Sequence, residues 1–124
     1  MKGGTSHYSS RVRALFAALP RAGAMPGGGR VIVGEAMAID RGAWVRLEAR
    51  LENGGIADCR FLAWGCPHTL AAASLAAEKL AAGAPVPGAR DLARELEVPA
   101  GKMGRLLVVE DAIQALLAEQ ARVQ

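Results

Sequence analysis

Trp44-Val45-Arg46-Leu47-Glu48-Ala49-Arg50-Leu51-Glu52, followed at once by Asn53-Gly54-Gly55, decides the fold. Val45, Leu47, Ala49 and Leu51 fall on one face and Arg46, Glu48, Arg50 and Glu52 on the other. That is the period of two of a strand with one dry and one wet face. Asn and Gly accept the backbone angles of a tight reversal, so Ile56 to Trp64 is expected to return antiparallel. Upstream, Arg30 to Ile39 is rich in β-formers and supplies another strand of the same sheet.

Working outward, the period lengthens on both sides. Val12, Leu15, Phe16 and Leu19 stand at helical spacing behind Ser9 and Ser10, either of which can cap a helix over Ser10 to Leu19. Pro20 stops it, and Gly23, Pro26, Gly27 and Gly29 read as a flexible connection. After Gly65 an Ala-rich helix is expected from about Pro67 to Ala82, closed by Gly83. A shorter helix over Asp91 to Leu96 ends before Pro99. Leu106 to Val123 carries Leu106, Val109, Ile113, Leu116 and Leu117 on one stripe. The fold class expected is α+β: a three-stranded antiparallel sheet with helices on one face, one N-terminal and about three C-terminal.

At 124 residues the chain is expected to form one domain, residues 1–124. With 52% hydrophobic and 22% charged residues it is not a disordered chain, and 4% aromatics leave a core of Ala, Leu and Val. The formal net charge of +3 comes from scattered Arg, so nucleic acid is not an expected partner. Glu78 and Lys79 interrupt the best candidate for a membrane span, and the N-terminus has no signal-like apolar run. A cytoplasmic protein without a membrane partner is expected. Cys59 and Cys66 are too few for a secreted disulfide framework.

Trp64-Gly65-Cys66-Pro67-His68 is the one stretch with chemical character. Gly65 allows a tight bend, Pro67 suits a first helical position, and Cys66 is expected at the helix N-cap. There the free N–H groups and the helix dipole favour a thiolate, which can ligate metal or accept sulfur. A small buried hydrophobe is the competing reading of Cys66. Cys59 is in phase with Phe61 and is expected in the core, with ligand as its second role. His68 is expected to be exposed on the first helical turn, with an auxiliary metal ligand as the alternative. Asp40 and Arg41 are either turn residues or face the Cys66 loop. His7 carries no constellation.

In this order the segments resemble the IscU/NifU N-terminal family of iron-sulfur cluster scaffolds from Tyr8 to about Gln120. Tyr8 to Phe16 with Pro20-Arg21-Ala22-Gly23 is similar to its opening helix and turn, and Ile56 to Phe61 to its third strand. Trp64-Gly65-Cys66 with Leu70 to Leu75 is similar to its Tyr-Gly-Cys segment and small-residue helix. Asp91 to Leu96, Lys102 and Glu110 to Ile113 continue the likeness. The resemblance implies an IscU/SufE-like fold and a non-enzymatic role in cluster assembly, with iron or a cluster bound through Cys66. Asp40, His68 and Cys59 are its candidate auxiliary ligands.

This sequence departs from the family at two ligand positions. Where the family has an Ala-Cys-Gly-Asp loop stands Asp40-Arg41-Gly42-Ala43, and the third family cysteine corresponds to Arg105. Four protein ligands normally hold a [2Fe–2S] cluster, so the resemblance implies ligands shared with a second subunit, as in a homodimer, or with glutathione. The implied partners are a cysteine desulfurase and other iron-sulfur assembly proteins. Pro99 and Lys102 stand in the family's chaperone-recognition stretch. The alternatives are a SufE-like persulfide acceptor, for which one thiol suffices, and a regulatory module that ligates nothing.

Overall fold

The computed structural model describes residues 8–124; His7 lies outside the described residues. Helix α1 (Ser10–Ala18) is followed by strands β1 (Arg30–Ala38), β2 (Ala43–Glu52) and β3 (Gly55–Trp64), then by helices α2 (Pro67–Ala82), α3 (Ala89–Leu96) and α4 (Met103–Arg122). Short 3-10 turns over Ile39–Arg41 and Ala100–Lys102 lead into β2 and α4. The sheet is antiparallel in the order β1-β2-β3, as the alternation of Trp44 to Glu52 requires.

The inner face presents Ile32, Val45, Leu47, Ala49, Cys59 and Phe61 to the helices, and one apolar cluster unites them with α2, α3 and α4. Helix α2 buries Ala71, Ala72, Ala73, Ser74, Ala76 and Ala77, whose small side chains let it lie close against β3, α1 and α4. Helix α4 approaches β1 and β2 still more closely. A Cβ on Gly34 would stand 2.6 Å from the Leu116 Cα and collide with the α4 backbone, so only glycine fits there.

Caps place several helix ends more tightly than periodicity could. The Ser9 hydroxyl accepts from the Val12 N–H at 3.1 Å and donates to the Leu96 carbonyl at 2.6 Å, tying α1 to the end of α3. Helix α3 begins at Ala89, two residues before the expected start, because Asp91 accepts from the Gly88 N–H and Glu110 from the Ala89 N–H. It closes on Glu97 in the left-handed conformation, ahead of Pro99. Helix α4 begins at Met103, three residues before its stripe.

The connection after α1 is tethered where a flexible one was expected. Ala22 forms a parallel bridge with Phe61, and Gly23 donates to the Phe61 carbonyl at 2.8 Å. The Met25 N–H donates to Glu48 at 2.8 Å and Arg50 donates to the Pro26 carbonyl at 3.2 Å. These bonds bury Glu48 on the polar face of the sheet. Arg46, Arg50 and Arg60 lie in ion pairs with Glu35, Glu48 and Asp58 across the same face. Its far end is apolar: Met37, Trp44 and Trp64 pair in one row, and Ile39 beside them is 79% exposed.

Candidate functional site at Cys66

Strand β3 ends at Trp64, the chain bends at Gly65 with φ +150°, and Cys66 is the N-cap of α2 with Pro67 at its first position. A Cβ on Gly65 would stand 2.9 Å from the Thr69 hydroxyl and 3.2 Å from the Gly42 carbonyl, so the bend needs glycine twice over. The Cys66 side chain makes no cap bond of its own. Cys66 is half-buried, and its sulfur lies 3.8 Å from Thr69 Oγ1 and 4.0 Å from His68 Nδ1. The expected N-cap placement of Cys66 is what the structure has.

His68 corrects an expectation. It is 1% exposed, not spread on the surface of the first turn. Its ring lies against Tyr8, centroids 4.8 Å apart, and Nε2 is buried without a hydrogen-bond partner. Burial, then the charges of Lys102 and Arg105, hold its pKa below the ordinary imidazole value. The missed signal is helical: His68, Ala71, Ala72 and Leu75 share one buried stripe.

Cys59 lies in the core, as its phase with Phe61 predicts, and its second role as an auxiliary ligand is not supported. The structure does not bring it to Cys66: it pairs with Ala49 in mid-strand, roughly 16 Å of extended chain from Trp64. It is 0% exposed, and burial, reinforced by Asp58, pushes its thiol up to about 12. Nothing in that setting favours a ligand thiolate. The Asp40 carboxylate is highly exposed and sits 3.9 Å from Arg41.

Arg41 and Gly42 do meet the Cys66 bend and the start of α4, and Lys102 and Arg105 lie near enough to His68 to act on its charge. Gly42 packs on Gly65, while the Arg41 side chain lies across Gly104; a Cβ there would stand 2.7 Å from Arg41 Cδ. Gly104 stands between Met103 and Arg105 in the first turn of α4, just after Lys102, whose N–H donates to the Pro99 carbonyl at 2.9 Å. The Asp40-Arg41-Gly42 turn, the Cys66 bend and the start of α4 therefore meet at one end of the sheet. Among the described residues, no three His, Cys, Asp or Glu side chains come together to hold a metal ion.

The family model for the NifU-like N terminal domain matches residues 7–123. The chain belongs to this family. This NifU-like domain is 38% identical over 73 residues to the iron-sulfur cluster assembly enzyme IscU of Drosophila melanogaster, covering 55% of this chain and 47% of that protein. It is 36% identical over 91 residues to the iron-sulfur cluster assembly protein IscU of Plasmodium falciparum, covering 69% and 54%. The chain spans about half the length of these curated relatives. The crystal structure of a nitrogen-fixing NifU-like protein (N-terminal) from Brucella abortus matches with a TM-score of 0.67, over 95% of this chain and 96% of that one. At 14% identity that is a likeness of fold.

A cluster held by protein alone takes about four ligands, and this NifU-like domain brings one thiol to the meeting point of these segments. The residues present do not fit a cluster held by this chain alone. No helix among the described residues is long and apolar enough to cross a membrane.

Proposed function

We propose that this chain serves iron-sulfur cluster assembly as a scaffold-like protein whose working group is the Cys66 thiol, which holds sulfur or iron for the pathway. The observation that carries this reading is the half-buried cysteine at the α2 N-cap, beside the meeting of the Arg41 turn and the start of α4. Family membership supplies the pathway. Iron on Cys66 would take its remaining ligands from a second copy of the chain or from glutathione. In this reading residues 1–124 act as one cytoplasmic domain that carries its cargo without turning it over. A cysteine desulfurase and other assembly proteins are its partners, and the Pro99 to Lys102 turn is a docking element.

A persulfide acceptor role is the second reading, favoured by a single partly exposed cysteine at the α2 N-cap, since one thiol suffices for it. Mass spectrometry after incubation with a cysteine desulfurase and cysteine is expected to show one added sulfur, absent in Cys66→Ser. Anaerobic reconstitution with iron and sulfide is expected to give a cluster absorbance only where a second copy or glutathione supplies ligands, again lost in Cys66→Ser. A protein that gains neither sulfur nor iron, with Cys66→Ala still binding the desulfurase, would leave only a regulatory module.

A further inference from the structure

We propose that Asn53-Gly54, the reversal between β2 and β3, is a self-modification site. Asn53 converts to aspartate or isoaspartate through a succinimide, the end of α4 holds the rate down, and the isoaspartate form weakens the hairpin. The inference is independent of the reading of Cys66.

Asn53 is the one asparagine in the chain. Asn53 and Gly54 are exposed and adopt positive φ, 55° and 82°, as a two-residue reversal of the type I′ kind requires, and Glu52 pairs with Gly55 across them. Glycine carries no side chain to shield its own nitrogen, so the Gly54 amide is open to the Asn53 carboxamide beside it. In the reaction the Gly54 nitrogen gives up its proton and bonds to Asn53 Cγ. The Cγ–Nδ2 bond breaks, and the amide leaves as ammonia with that proton. Water then adds to one carbonyl of the ring or to the other. The first opening gives aspartate, and the second gives isoaspartate, whose main chain runs through the former side chain. Water enters, ammonia leaves, and nothing is oxidised or reduced.

The folded chain opposes the first step. Closing the ring turns the peptide between Asn53 and Gly54 away from the alignment that the reversal fixes. The turn is also held from outside the hairpin: Gln120 Nε2 donates to the Gly54 carbonyl at 3.0 Å, and Gln124 Nε2 donates to the same oxygen. A Cβ on Gly54 would stand 3.2 Å from Gln124 Nε2, so the end of the helix lies directly on the turn. Both bonds are exposed, and exposed bonds open locally without global unfolding. The reaction proceeds from turns that have lost this hold, and its rate follows their population. Isoaspartate lengthens the main chain of a two-residue loop by one carbon, which breaks the geometry that pairs Glu52 with Gly55.

Ageing of the full chain in mildly alkaline buffer tests the proposal, with the amide-to-acid mass gain read on intact protein and the product located by peptide mapping. The folded parent is expected to convert about tenfold more slowly than the chain in urea. Gln120→Ala combined with Gln124→Ala is expected to speed the folded protein about threefold or more. Ser9→Ala removes a distant cap of α1 and is expected to leave the rate at the parent's. Equal rates in the folded and unfolded parent overturn the proposal, as does a double variant no faster than the parent. Equal acceleration in Ser9→Ala and the double variant places the reaction in globally unfolded chains and overturns the hold by α4. Should a thermal melt show that the double variant does not fold, Gln120→Glu keeps the length and the helix, removes the donor, and is read by the same two criteria. The isoaspartate fraction, separated by its added charge, is expected to have a lower urea midpoint than the parent, and an equal midpoint overturns the weakening of the hairpin.

Discussion

Cys59 and Cys66 carry the same group into opposite surroundings. Cys59 sits among Leu47, Ala49 and Phe61, and its thiol is pushed up to about 12 by burial and then by Asp58. Cys66 sits at a helix start within reach of solvent. Native protein at pH 8 is therefore expected to lose one thiol to iodoacetamide, at Cys66, and unfolded protein two, as counted by intact mass. Glu48 gives a second residue-level prediction. The Met25 N–H, then Arg46, hold its carboxyl below the ordinary value of 4.5. A depressed folded-state value stabilises the fold fully above the unfolded-state value, and the contribution disappears as pH falls through the folded-state value. Glu48→Gln is thus expected to lower the urea midpoint at pH 7 and to make progressively less difference as pH falls below 4.5.

At the scale of elements, α4 and β1 meet backbone to backbone at Gly34. Gly34→Ala has no flexible neighbour to displace and is expected to cost about 3 kcal/mol, read as a fall in the urea midpoint. The strands were legible in Trp44 to Glu52 because a pleat repeats every two residues, and the Asn53-Gly54 reversal fixed their pairing. The helix starts were less so: Asp91 and Glu110 cap α3 from positions that only the folded chain brings together. The tether from Ala22 to Pro26 was read as loose because its glycines and proline describe local freedom, while its bonds reach Glu48, Arg50 and Phe61. For the site, Cys66 could be placed from Gly65 and Pro67 alone. His68 could not, since a polar ring two residues into a helix reads as wet until the Ala71, Ala72 and Leu75 stripe is extended back to it.

Across the whole molecule, three segments far apart in sequence share one end of the sheet: the turn at Asp40 to Gly42, the bend at Gly65 and the start of α4. Their meeting depends on the frame and not on the side chains presented there. Arg41→Cys combined with Arg105→Cys would add two thiols to the segments that meet at this end of the sheet. That variant is expected to retain iron and acid-labile sulfide after anaerobic reconstitution without glutathione, where the parent chain alone retains little, as measured by metal and sulfide analysis of the desalted protein.

The row of Met37, Trp44 and Trp64 has an optical consequence. The chain has two tryptophans, they are cross-strand partners, and Trp64 is two residues from Cys66. Ultraviolet emission from the unlabelled protein therefore comes from one corner of the molecule, so a quencher or a docking surface arriving there should change the whole signal, while events at the opposite corner should pass almost unseen.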